Sequence, residues 1–134
     1  MNNKLFCEWD TIDDLIDTLA MGIKNNLNNI EYIHGVSRGG LIPAVMLSHK
    51  LNISYTPHPE LFKPSEVLIV DDIADSGKTL QRYREYQTAV LHFKPHTSIF
   101  IPDIWATQHE GDEWIIYPWE DKSSKTIQDY KLDI

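Results

Sequence analysis

The chain has one cysteine, Cys7, so no intramolecular disulfide can form, and its scattered histidines and single thiol give no zinc-type ligand spacing. Such thiol usage fits a reducing compartment. Basic residues are also scarce: 12 Lys and Arg stand against 20 Asp and Glu, a formal charge of -8. Binding to a nucleic-acid backbone depends on clustered cations that displace counterions, so this balance argues against a nucleic-acid partner. Long apolar runs are missing as well. No segment approaches the roughly 18 apolar residues of a membrane span, and Met1-Asn2-Asn3-Lys4-Leu5-Phe6 runs into Glu8 and Asp10 without an apolar stretch. The expectation is a cytoplasmic protein with no membrane partner.

What is present suits one compact α/β domain over residues 1–134. The length matches the commonest domain size, and 42% hydrophobic with 24% charged residues is ordinary globular composition. Thr11 followed by Asp14 reads as a capping-box-like start. Ile12, Leu15, Ile16, Leu19, Ala20, Ile23 and Leu27 then recur at helical spacing, which predicts a helix over 11–27. The asparagines at 25, 26, 28 and 29 end it, and a strand is predicted over 30–36, leading into Ser37-Arg38-Gly39-Gly40.

A second helix is predicted over 41–51, with Pro43 in the first turn where it costs no hydrogen bond. A short strand at 53–55 and a proline-rich connection precede Val67-Leu68-Ile69-Val70, an apolar β-branched run expected to be the central strand. Beyond it the pattern predicts a helix over 78–87 and strands at 88–93, 98–101 and 114–117. Residues 121–134 read as a polar tail. This alternation predicts a three-layer fold, a mainly parallel sheet flanked by helices, whose ligands bind beyond the carboxyl ends of the strands.

Two loops leave such ends. Asp71 and Asp72 follow the central run, and paired carboxylates suit the hydroxyls of a cis-diol or a magnesium ion that takes hard oxygen ligands alongside substrate phosphates. Asp75-Ser76-Gly77-Lys78-Thr79 then supplies backbone amides, a small glycine and hydroxyls, the ingredients of a phosphate cradle. Taken alone, Ser76-Gly77 is an ordinary turn and Asp71-Asp72 an ordinary loop or cap. The assembled string from Val67 to Thr79 carries the reading. Its end also imitates a triphosphate-binding loop, but the glycine which that loop requires five residues before Gly77 is Asp72, whose charge would repel a triphosphate.

The string resembles the signature of the type I phosphoribosyltransferases: a hydrophobic strand, two acidic residues and a D-[ST]-G-x-T loop. The resemblance implies that Asp71 and Asp72 contact the ribose hydroxyls of phosphoribosyl pyrophosphate and its magnesium, and that Ala74, Asp75, Ser76, Gly77, Lys78 and Thr79 bind the 5-phosphate. It implies that Ser37, Arg38, Gly39 and Gly40 form the pyrophosphate loop. Lys94-Pro95 and the segment from Asp112 to Glu120 are similar to the bacterial xanthine-guanine branch, which implies a purine base. There Lys94 would donate to an oxopurine oxygen, Trp114 would stack on the ring and the Ile115 backbone would read the base edge. Asp75 would act as general base and Arg38 would stabilise the departing pyrophosphate. Resembling enzymes are dimers or tetramers, so a homo-oligomer is expected.

Singly, Lys94 is a surface cation and Trp114 a half-buried strand residue. His34 reads as packed, and His49, His58, His92, His96 and His109 are assigned no metal. One feature departs from the family. Where resembling enzymes carry a long flexible hairpin that closes over the substrates, only Thr56 to Glu66 remains. A short lid implies low turnover, closure by a neighbouring subunit or loss of catalysis, and so keeps a second class open: a non-catalytic phosphoribosyl pyrophosphate or nucleotide sensor.

Overall fold

The structure is a computed structural model, and it describes residues 3–121; the polar tail expected at the carboxyl end lies outside the described residues apart from Asp121. The elements run β1 (Lys4–Phe6), α1 (Trp9–Asn26), β2 (Tyr32–Gly35), α2 (Leu41–Leu51), β3 (Ser54–Tyr55), β4 (Val67–Ala74), α3 (Lys78–Gln81), β5 (Gln87–Phe93), β6 (Ile104–Gln108) and β7 (Trp114–Ile116). Five strands form one parallel sheet in the order β3-β2-β4-β5-β6. The chain leaves β2 for β3 on one side and returns through β4 to grow the other side. The strand order therefore reverses between β2 and β4, where ligand crevices open in such sheets.

Side-chain parity along β4 builds the layers. Leu68 and Val70 join Ile12, Ile16, Leu19, Ile23, Ala44 and Leu47 in one core beneath α1 and α2, whereas Val67 and Ile69 join Leu80, Val90 and Phe93 on the other face. The first face is covered by two full helices. The second is covered by the single turn of α3 and by the aromatic side chains of Tyr32, Phe62, Tyr83, Tyr86, Phe100 and Trp105.

Several sequence expectations need correction. Helix α1 starts at Trp9 with Glu8 as its cap, so Thr11 lies inside the helix and makes no capping box. Helix α3 stops at Gln81 because the backbone tightens into i→i+3 bonds, from Arg82 to Thr79 and from Tyr83 to Leu80, which turn Tyr83 and Tyr86 onto the sheet. Residues 98–101 form no strand, and Ile99 and Ile101 are exposed. The edge strand is β6, anchored at its start by the Asp103 carboxylate, which accepts the Thr88 amide at 2.9 Å. Finally, β7 does not join the main sheet. It pairs in parallel with β1, a strand with no expectation behind it, as a two-stranded hood: Lys4 opposite Trp114, Phe6 opposite Ile116.

Candidate active site

Strand β4 runs four residues past its apolar half, so Asp71 and Asp72 sit within the strand and not in the loop after it; Asp71 pairs with Val90 and Ile73 with His92. Alternation then sends the two carboxylates to opposite faces. Asp71 is buried, and its Oδ1 accepts the Asp72 amide at 2.9 Å. Asp72 faces the loop after β2, where Gly39 approaches so closely that a Cβ on it would overlap the Asp72 carboxylate. Val36 donates to the Val70 carbonyl at 2.9 Å and Gly40 to the Val36 carbonyl at 2.8 Å, which seats this loop on the end of β4. The Ser37-Arg38 peptide is cis.

The chain leaves β4 through Asp75 and Ser76 and turns at Gly77, whose φ of 81° is the left-handed conformation that glycine adopts freely. Residues 97–100 buttress this turn from behind. Ile99 donates to the Ser76 carbonyl at 2.8 Å, and the Thr97 hydroxyl lies 2.8 Å from the Asp75 carbonyl and 3.0 Å from its Oδ1. The segment expected as a strand is thus the support of the loop.

The hood stands opposite. Trp114, Ile115, Tyr117 and Trp119 form its wall, with Tyr117 and Trp119 stacked at 5.0 Å and 6°. Between wall and loops lies a cleft of about 420 Å³, within the range of small-molecule sites. Of the residues singled out in the sequence, Arg38, Gly39, Asp71, Asp72, Ala74, Asp75, Ser76, Gly77, Thr79, Trp114 and Ile115 line it. Ser37 and Lys78 are exposed beside it, and Gly40 is buried beneath the loop.

Lys94 is no surface cation: only 4% of it is exposed. Its Nζ donates to the Glu113 carbonyl at 2.7 Å and lies 3.8 Å from Asp75 Oδ2, which joins the phosphate loop to the start of β7. Glu113 in turn accepts from His109 Nε2 at 2.9 Å, and a bond from its own backbone, followed by this one, holds its carboxyl below the usual range. Sequence reasoning missed Tyr117, Trp119 and His92. Tyr117 is buried behind the wall, and desolvation, followed by the charge of Asp72, pushes its phenol well above the ordinary value. Burial, then His109 and Lys94, lowers His92 to about 4. The only signal for Tyr117 and Trp119 was their place in the Asp112–Glu120 segment.

No model of a protein family matches the chain. Individual proteins do. The xanthine-guanine phosphoribosyltransferase of Cereibacter sphaeroides is 32% identical over 123 residues, covering 72% of this chain and 72% of that protein. The purine phosphoribosyltransferase of Pyrococcus horikoshii superposes with a TM-score of 0.75 at 30% identity, covering 93% of this chain and 98% of its own. A protein of Neisseria gonorrhoeae, solved with ppGpp bound, superposes with a TM-score of 0.73 at 26% identity over 92% of each chain. With the acidic strand end, the glycine-turned loop and the aromatic hood facing one cleft, these likenesses show that the chain belongs to the family of the xanthine-guanine phosphoribosyltransferases.

Proposed function

We propose that the chain transfers the phosphoribosyl group of phosphoribosyl pyrophosphate to an oxopurine, guanine, xanthine or hypoxanthine, giving a nucleoside monophosphate and pyrophosphate. The observation that carries this reading is the cleft itself, which sets the Asp71-Asp72 strand end, the 75–79 turn and Arg38 against the Trp114 wall. In this reading Asp71 and Asp72 accept the ribose hydroxyls, since ionised carboxylates make the strongest such bonds. Ala74 to Thr79 wrap the 5-phosphate. The 37–40 loop and the Arg38 guanidinium hold the pyrophosphate, for which a planar multi-donor cation is suited. Trp114 stacks on the base, and the Ile115 backbone reads its edge.

Lys94 is not among the residues that line the cleft, but it carries three donors and spends one on Glu113, which leaves donors for a base oxygen in this reading. Asp75, held by Thr97, takes in this reading the proton lost from the imidazole nitrogen of the base. The donor set also fits magnesium. Asp71 and Asp72 stand side by side in the chain at the cleft, hard oxygen donors that suit an ion sharing its shell with substrate phosphates and water. Asp71 and Asp72 would hold the ion, which would supply charge neutralisation on the leaving pyrophosphate.

A second reading has its own observation. The segment of residues 56–66 folds as two short turns on the outer face of the sheet, where Phe62 stacks on Tyr32 at 3.8 Å, and none of it lines the cleft. Together with the ppGpp bound by the Neisseria protein, this supports a nucleotide sensor without turnover. Pyrophosphate release with each oxopurine and with adenine separates the two. Release confined to oxopurines is the expected result. Ligand-induced thermal stabilisation without release would establish the sensor instead. We also propose a homo-oligomer, which sedimentation as a monomer would overturn.

A further inference from the structure

The hood is tied to the main sheet at both ends of β7. At one end the buried Lys94 ammonium donates to the Glu113 carbonyl at 2.7 Å. At the other, the Tyr117 hydroxyl meets two groups at once: the Asp72 carbonyl of β4 at 3.2 Å and Nδ1 of His92 on β5 at 2.8 Å. Tyr117 is 2% exposed and His92 7%, so no solvent competes for these bonds. Three elements therefore meet at one oxygen, between the residue that faces the base and the strand end that faces the ribose.

A phenol carries one proton and the Asp72 carbonyl can only accept, whereas Nδ1 of His92 donates or accepts according to its tautomer. Both contacts are hydrogen bonds together when Tyr117 donates to Asp72 and the imidazole donates from Nδ1. That arrangement corresponds to the neutral His92 tautomer with its proton on Nδ1. Neutrality agrees with its burial and with the neighbouring His109 and Lys94, which disfavour a second positive charge.

We infer that Tyr117 and His92 are positioning residues, a relay that runs from His92 through the Tyr117 hydroxyl to the Asp72 carbonyl and fixes the offset between the base wall and the ribose carboxylates. The inference rests on the proposed phosphoribosyl transfer. Because the attacking nitrogen and the ribosyl carbon are held by different sheets, their alignment depends on how rigidly those sheets are joined, and small misplacements of reacting atoms are costly. Simple packing differs from such a role. The Tyr117 ring, stacked on Trp119 at 5.0 Å, would be retained in phenylalanine, whereas the relay would not.

The test is steady-state pyrophosphate release by Tyr117→Phe, His92→Leu and His92→Asn, with unfolding temperatures measured in parallel. Two-bond proton–nitrogen NMR of the unliganded wild type reads the tautomer of His92. We expect Tyr117→Phe and His92→Leu each to lower kcat by about tenfold, with KM for phosphoribosyl pyrophosphate within about twofold. The double variant should lose little more than either single one, and His92→Asn, whose amide nitrogen can replace Nδ1, should recover most of the rate. An unchanged kcat in Tyr117→Phe, even with a lower unfolding temperature, would reduce the pair to packing and overturn the inference. So would an unprotonated Nδ1. A wild type without turnover would refute the proposed transfer, and a protonated Nδ1 would then support the relay as a feature of the binding site alone.

Discussion

The cleft has two walls built in opposite ways. The first wall, residues 67–79, to which the proposed function assigns the ribose and phosphate, is one continuous stretch of chain on the central strand of the main sheet. The hood wall is assembled from residues 4–6 and 114–117, opposite ends of the described chain, paired as two short parallel strands. The first is held by neighbours on both sides, β2 and β5, and by two cores. The second is held by β1, by the Lys94 bond to Glu113, by Tyr117 and by the seating of Ile115 and Tyr117 in the first of those cores. In the proposed reading, groups that must stay fixed relative to one another sit on the first, more rigid wall, which has strands on both sides, and the part that selects the base sits on the hood wall. Phosphoribosyl binding should therefore survive damage to the hood, while base use should not.

The largest effect is expected on the rigid wall. Replacing Asp71 and Asp72 together with Asn keeps the side-chain shapes and removes both charges. Charge-assisted bonds contribute roughly 1.5–3 kcal/mol each, so metal-dependent phosphoribosyl pyrophosphate affinity, measured by calorimetry, should fall by at least about a hundredfold. Undiminished affinity would refute the assignment of the ribose to this wall.

Acid should act where the two walls meet. His92 titrates near 4 in the fold against 6.5 when unfolded. Between these values the unfolded chain binds a proton that the native chain refuses, so its contribution is complete above 6.5 and is lost as pH falls toward 4. The size is roughly 3 kcal/mol, read from urea unfolding as a function of pH. In His92→Asn that part of the pH dependence should vanish.

Removing residues 1–6 sharpens the contrast between the walls directly. Deprived of β1, the hood should hold the base about tenfold more weakly, a loss of roughly 1.4 kcal/mol, while phosphoribosyl pyrophosphate binding stays within about twofold. Equal losses for both substrates would mean that the walls are not independent.

The smallest effect tests the shortened connection. Phe62→Ala removes a stacked, half-buried ring and should cost about 1–2 kcal/mol of stability with KM for both substrates unchanged. A selective rise in KM would show that residues 56–66 reach the cleft after all.

The contrast between the walls also explains what could be read from the residues. Local patterns placed α2 at Leu41–Leu51, and β5 at Gln87–Phe93 and β7 at Trp114–Ile116 each to within one residue, because period and turn chemistry act over neighbouring positions. They failed at residues 98–101, where Ile99 and Ile101 alternate like a strand yet point outward. That segment is recruited by the carbonyl of Ser76, a partner more than twenty residues away. They also placed Asp71 and Asp72 in a loop, because carboxylates ordinarily end a strand; the ladder to β5 carries the strand on to Ala74.

What the sequence by itself determined is the layout of the rigid wall: an apolar strand, two carboxylates and a glycine-turned loop in thirteen consecutive residues, whose geometry is local. Only the tertiary structure decided the rest. The pairing of β1 with β7, the burial of Lys94 onto Glu113, the Tyr117 hydroxyl between His92 and Asp72, and the seating of residues 56–66 on the outer face all join positions remote in the chain. Such contacts are selected by which surfaces remain uncovered once the main sheet has formed, and no periodicity along the chain encodes them.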